Sequence, residues 1–279
     1  MNMYGKLVTA MVTPFKENGD INYEVAKELV EHLINTGTDS LVILGTTGEA
    51  PTLDEKEKIK FVKYIKKILK GRIPLIVGVG TNNTKETVHF AKKIEKIWVD
   101  GFLVVAPYYN KPSQEGIYEH FKQISDAVRT PIMVYNIPGR SVVNIEYETL
   151  VKLAKLENVK AVKYSHNDLE TVKKLIEHTD LYVYSGDDIT TLDFVKLGAE
   201  GVVSVASHII GPELREVIET ENEKLMNKLS KIIKLLFAEP NPAPIKFALR
   251  QKGIDVGVPR LPLVDITDSL KEKIKKAMK

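Results

Sequence analysis

Phe102-Leu103-Val104-Val105, then a helical period over Gln114–Val128, then Ile132-Met133-Val134-Tyr135: the architecture follows from this stretch. Each short run is rich in Val and Ile and lacks strict polar alternation, as in strands covered on both faces by helices. The segment between the runs repeats its apolar residues at helical spacing. Strand, helix and next strand therefore form one parallel crossover unit.

The same unit recurs in both directions. Upstream lie the runs Leu7–Val12, Ser40–Leu44 and Leu75–Gly78, separated by helical segments at Glu24–Leu33, Asp54–Lys70 and Thr84–Ile97. Downstream, helices at Ile145–Ala154, Leu169–Glu177 and Thr190–Leu197 alternate with the runs Val159–Tyr164, Leu181–Ser185 and Gly201–Ser204. Eight runs, each followed by a helix over about 220 residues, fit an α/β fold of the (β/α)8 TIM barrel type better than an open doubly wound sheet. After Pro212 the alternation stops. The segments Glu213–Thr220, Leu225–Phe237, Ala243–Lys252 and Thr267–Met278 read as helices, punctuated by prolines. The expected organisation is a barrel over residues 1–220 that carries the active site, with a C-terminal helical extension over 221–279 packed on it.

Composition narrows the function classes. The 279 residues contain no Cys, which excludes disulfides and thiolate metal sites. Lys+Arg 40 against Asp+Glu 37 leaves a net charge of +3, and only 6 of the basic residues are Arg. The Lys-rich segments 56–70 and 271–279 interleave with Glu and apolar residues, as a solvated helix face does. No nucleic-acid partner is expected from that pattern. No stretch reaches the roughly 18–20 apolar residues of a membrane span, and Met1–Pro14 lacks the parts of a signal peptide, so no membrane partner and a cytoplasmic location are expected.

A barrel places its chemistry where strands end and loops begin. The unusual residues cluster at such places: Gly45-Thr46-Thr47-Gly48-Glu49, Pro107-Tyr108-Tyr109-Asn110, Tyr135-Asn136-Ile137-Pro138-Gly139-Arg140, Lys163, and Ser185-Gly186-Asp187-Asp188. Lys163 stands out because it sits inside an apolar run. Burying an ammonium is costly, so such a site favours the neutral amine, the form that attacks a ketone to make a Schiff base. The alternative is a strand-end Lys whose stem packs while its head reaches water.

Tyr135, at the end of the preceding run, has a hydroxyl suited to moving protons at the carbinolamine step, and Thr47 and Tyr109 offer further hydroxyls. A plain barrel-wall aromatic is the blander account of Tyr135. The Gly45–Gly48 segment offers successive N–H groups for a small carboxylate, or merely a tight turn. Arg140 offers a fork for a carboxylate, or a surface ion pair. Gly78-Val79-Gly80 lacks the third Gly of a dinucleotide fingerprint, no phosphate-binding GKS/GKT loop occurs, and the six His form no HExxH pair. No G-x-S-x-G elbow is present.

Over essentially its whole length the chain resembles the dihydrodipicolinate synthase family, also called 4-hydroxy-tetrahydrodipicolinate synthases. The resemblance runs from Thr9-Ala10-Met11-Val12-Thr13-Pro14-Phe15 to Asn241-Pro242-Ala243-Pro244-Ile245-Lys246, and rests most on the Gly45–Glu49 and Tyr135–Arg140 motifs. Other pyruvate-dependent class I aldolases, including N-acetylneuraminate lyase and keto-deoxy sugar-acid aldolases, share the Tyr and the Lys. The Gly-Arg after Tyr135 favours the synthase.

The resemblance implies a lyase that condenses pyruvate with L-aspartate 4-semialdehyde, the first committed step toward diaminopimelate and lysine. It implies Lys163 as the imine-forming amine and Tyr135 as general acid/base. Protons would pass through Thr47 to Tyr109, the latter reaching in from a neighbouring subunit. Thr46 and Thr47 amides would hold the pyruvate carboxylate, Arg140 the semialdehyde carboxylate, and Gly186 and Val203 would border the Lys163 pocket. A homotetramer built as a dimer of dimers is implied, with no metal or organic cofactor. The rivals are a sibling aldolase and a barrel that senses a ligand without turning it over.

Two departures from the family pattern are visible. Tyr164-Ser165-His166 follows the Schiff-base position where many relatives carry Glu. The positions of the family's lysine-inhibition pocket correspond to Ala50, Glu55, Lys58, Asn82, Glu86 and Tyr108, with Glu55 and Lys58 replacing His residues of sensitive forms. Weak or absent feedback by lysine is the expectation.

Overall fold

A computed structural model describes residues 3–279. Met1 and Asn2, the start of the N-terminal segment read above for a signal peptide, lie outside the described residues. In chain order the elements are β1 (Leu7–Ala10), α1 (Tyr23–Asn35), β2 (Ser40–Ile43), α2 (Glu55–Leu69), β3 (Leu75–Gly78), α3 (Thr84–Glu95) and β4 (Gly101–Val105). There follow α4 (Gln114–Ala127), β5 (Ile132–Asn136), α5 (Pro138–Ser141), α6 (Tyr147–Leu153), β6 (Val159–Tyr164), α7 (Leu169–His178), β7 (Tyr182–Ser185), α8 (Thr191–Lys196) and β8 (Gly201–Ser204). The last four helices are α9 (Ser207–Thr220), α10 (Glu223–Leu236), α11 (Ala243–Gln251) and α12 (Asp268–Ala277). The eight strands close into a barrel in sequential order, the TIM barrel expected from the sequence.

Local chemistry sets the helix starts. Asn22, Asn83, Ser113, Asp168, Asn222 and Thr267 each accept a backbone N–H of the first turn, and Asp54 with Glu57 forms a reciprocal capping box at α2. Each such cap is worth about 1 kcal/mol against Ala.

The chain forms two compact units. One comprises residues 3–6 and 74–203, hence β3–β8 with α3–α8. Its strands pair in parallel, and their buried Ile76, Phe102, Val104, Met133, Val134 and Val162 form the core with Phe90, Phe121 and Phe194 of the helices. The register carries one row across the unit: Val105 opposes Tyr135, Tyr135 opposes Lys163, and Lys163 opposes Tyr184. Between α3 and β4, Trp98 stands 83% exposed in a left-handed backbone conformation, φ 60°.

The other unit comprises residues 7–73 and 204–279, with β1 and β2 paired in parallel and α1, α2 and α9–α12. Here α9 begins at Ser207, earlier than the helix read from Glu213. Ser204 Oγ accepts the Ser207 N–H, and the first turn bends at the non-helical Ile210 before Pro212 starts the second part. Helix α11 is buried nearly all round, from Ala243 to Leu249, as a helix inside a core is. No helix among the described residues is long and apolar enough to cross a membrane.

Candidate active site

Lys163 lies in the second half of β6, after the exposed Lys160, and is buried at 5% exposure. Its register partner on β5 is Tyr135, itself 5% exposed, and the Lys163 Nζ lies 4.4 Å from the centre of the Tyr135 ring. A buried amine and a phenol thus stand side by side at the C-terminal ends of adjacent parallel strands. Gly186 follows β7 in close contact with its neighbours: a Cβ there would force the Ser165 hydroxyl to turn and would lie 3.1 Å from Lys163 Cγ. Val203 is buried on β8.

Asp187, which the sequence marks only as part of the Ser185–Asp188 cluster and without a role of its own, is the charged neighbour of this site. Burial pushes its carboxyl above the usual range, opposed by the positive charges of Lys163 and Arg140. Arg140 is exposed on the four-residue helix α5, whose last residue, Ser141, is buried. Tyr109 is 85% exposed with φ 74°, its N–H donating to the Ser141 carbonyl. Its neighbour Tyr108 is also exposed. Ser165 Oγ is buried with no hydrogen-bond partner among the described residues.

In the other unit, the loop after β2 carries Thr46 and Thr47. It is bracketed by two non-glycine residues in left-handed backbone, Leu44 and Glu49, both at φ 56°. Such conformations cost on the order of 1 kcal/mol each and persist only where the surroundings hold them. The hold is visible at three points. Thr13 Oγ1 donates to the Gly48 carbonyl at 2.7 Å. Asn241 Nδ2 donates to Thr47 Oγ1 at 2.9 Å, both side chains being buried. Glu49 Oε2 accepts the Arg260 N–H at 2.8 Å, while its Oε1 lies 2.6 Å from Lys246 Nζ, an ion pair whose angle falls outside hydrogen-bond geometry.

Neither the Thr46 nor the Thr47 backbone N–H donates to a protein acceptor among the described residues, so both are available to an anion. Burial lowers the Lys246 ammonium to about 8 despite Glu49, and its Nζ lies 4.2 Å from the Phe15 ring centre. In the sequence Asn241 and Lys246 stand out only as the two ends of a stretch of family likeness. The signal for their role was two polar residues within an otherwise apolar, Pro-rich segment.

Of the six positions read as a lysine pocket, Asn82, Glu86 and Tyr108 lie in the first unit and Ala50, Glu55 and Lys58 in the second. Asn82 is half-buried and its carbonyl accepts from Asn110 Nδ2, whereas Glu86 is exposed on α3. Ala50 opens a short 3-10 turn, and Glu55 and Lys58 lie on α2, where partial burial pushes the Lys58 ammonium down.

A closed (β/α)8 barrel holding an amine against a phenol is a barrel equipped for carbonyl chemistry. The chain belongs to the dihydrodipicolinate synthetase family, whose model matches residues 3–279. The 4-hydroxy-tetrahydrodipicolinate synthase of Bacillus subtilis is 48% identical over 275 residues, 95% of each chain. Among solved structures, the dihydrodipicolinate synthase of Bacillus anthracis superposes with TM-score 0.97 at 43% identity, covering 100% of this chain and 98% of that one. The enzyme of Cyanidioschyzon merolae with lysine bound gives TM-score 0.97 at 41% identity, with the same coverage. That of Acinetobacter baumannii, complexed with pyruvate, gives 0.95 at 37% identity over 99% of this chain and 98% of that one.

Proposed function

We propose that the chain is a lyase that condenses pyruvate with L-aspartate 4-semialdehyde, the reaction of 4-hydroxy-tetrahydrodipicolinate synthases in diaminopimelate and lysine biosynthesis. The observation that carries this is the buried Lys163 amine 4.4 Å from the Tyr135 ring centre. Relatives bearing that name at 48% identity, and a solved relative holding pyruvate, support the choice of substrates.

In this reading the Lys163 amine adds to C2 of pyruvate. The carbinolamine formed loses its hydroxyl as water, leaving a protonated imine. That cation draws electrons from C3, so a C3 proton leaves and the enamine attacks the aldehyde carbon of the second substrate. The amino group of the semialdehyde then displaces Lys163 from C2 and closes the ring. Tyr135 gives and takes the protons at the carbinolamine stage, relayed through Thr47 and Tyr109. The Thr46 and Thr47 N–H groups hold the pyruvate carboxylate, with Gly186 and Val203 bordering the amine, and Arg140 receives the semialdehyde carboxylate. The imine is its own electron sink, so no cofactor enters the scheme.

A homotetramer, a dimer of dimers, accompanies this reading. The 85% exposure of Tyr109 in strained backbone suits a side chain offered to a neighbouring copy.

Borohydride reduction in the presence of pyruvate tests the reading: a reduced pyruvate adduct should appear on Lys163 and vanish in Lys163→Ala. No adduct in the intact protein would favour a ligand-sensing barrel. Assays with aspartate semialdehyde against keto-deoxy sugar acids and N-acetylneuraminate separate the synthase from its sibling aldolases.

A further inference from the structure

Asn241 occupies a place that the scheme above leaves without a role. It is 6% exposed, sits just ahead of α11, and gives its amide proton to the Thr47 hydroxyl at 2.9 Å. Its own Oδ1 is buried with no partner among the described residues, so the one polar contact of this side chain is spent on Thr47. Leaving a buried carbonyl oxygen unpaired costs roughly 1–3 kcal/mol, an arrangement that calls for an explanation.

A threonine hydroxyl has one proton and two lone pairs. A donor at Asn241 occupies one lone pair and cannot take the proton, so Thr47 keeps its proton for another acceptor. A residue of the same shape that accepted instead would consume that proton and leave Thr47 able only to accept. A second hold from the same segment reinforces the first: Lys246, five residues on, pairs with Glu49 two residues after Thr47. The left-handed backbone at Glu49 is thereby fixed on one side of Thr47 and the hydroxyl's polarity on the other.

We propose that Asn241 is a positioning residue for the proton relay, acting through its amide donor to fix the direction in which Thr47 passes a proton. This rests on the reading of Thr47 as a relay in a pyruvate-imine reaction.

The test uses Asn241→Asp, which keeps the shape but replaces the donor with an acceptor, beside Asn241→Ala and Thr47→Val. At pH 8, Asn241→Asp should lower kcat on the order of 100-fold, the scale of one lost acid–base contribution, with little change in KM for pyruvate. As pH falls and the introduced carboxyl regains a proton to donate, the ratio of its kcat to that of the unaltered protein should rise. For Asn241→Ala the ratio should stay flat. In a Thr47→Val background, Asn241→Asp should cost almost nothing further. Circular dichroism melts confirm that each variant folds.

Additive losses, or an Asn241→Asp profile matching the unaltered protein, would overturn the assignment of Asn241 alone. Absence of a borohydride-trapped pyruvate adduct on Lys163 in the unaltered protein would instead remove the relay reading, and this proposal with it.

Discussion

Tyr135 and Lys163 are register partners on neighbouring parallel strands, and the Lys163 Nζ stands 4.4 Å from the Tyr135 ring centre. The pairing is enforced by the backbone ladder of β5 and β6, so the geometry does not depend on a loop. Tyr135→Phe keeps the ring and its packing while removing the hydroxyl. We expect kcat to fall about 100-fold with melting behaviour unchanged, and the rate of pyruvate imine formation, followed by borohydride quenching, to fall with it. A full-speed variant would take the proton-transfer role away from Tyr135.

Arg140 is exposed on α5, whereas the amine is buried in β6. Arg140→Ala should therefore weaken use of the semialdehyde far more than imine formation with pyruvate. Single-turnover trapping with pyruvate, set beside steady-state kcat/KM for the semialdehyde, measures the two steps separately. Equal losses in both would contradict the division.

The Lys246–Glu49 pair is fully buried on both sides. Removing one partner strands a charge, and such losses run about 3–5 kcal/mol. Lys246→Met should destabilise by that order in urea unfolding followed by circular dichroism, and the double variant Lys246→Met, Glu49→Gln should recover part of it. A Lys246→Met variant as stable as the unaltered protein would mean the pair contributes little.

His208 is buried with its Nδ1 bonded to the Val205 carbonyl, so its Nε2 accepts the Val12 N–H at 3.2 Å. A proton on Nε2 would face a donor, and burial lowers the imidazole to about 4. Burial alone lowers His120 to about 4 as well. The unfolded chain takes up these protons near pH 6.5 and the folded chain only near pH 4, so stability falls as pH drops through that window. Urea midpoints at intervals from pH 7 to pH 4 should trace the decline, and His120→Asn should make it shallower. A midpoint that holds constant to pH 4 would speak against buried neutral imidazoles.

L-Lysine should inhibit weakly or not at all, because Lys58 places a cation among the positions that the family resemblance assigns to a lysine pocket. Inhibition measured across millimolar L-lysine decides the matter, and a micromolar inhibition constant would refute it.

The barrel was legible because its signals are local. The runs Leu75–Gly78, Val159–Tyr164 and Gly201–Ser204 are the strands observed, residue for residue. A lysine inside such a run was conspicuous for the same reason. Helix α5 escaped because Pro138-Gly139 reads as a turn, and the first turn of α9 because it is buried on all sides and shows no amphipathic period. Asn241 and Lys246 escaped because their meaning lies in partners 194 residues away in one case and across a buried ion pair in the other. No spacing rule spans such separations.

Trp98 is the chain's single tryptophan, and it already faces solvent in the folded protein. Its emission will barely shift when the barrel unravels, so fluorescence is a poor witness to unfolding here. The same indole is a good witness to something else: any molecule that settles over the turn between α3 and β4 will dim or blue-shift it, free of interference from a second fluorophore of its kind.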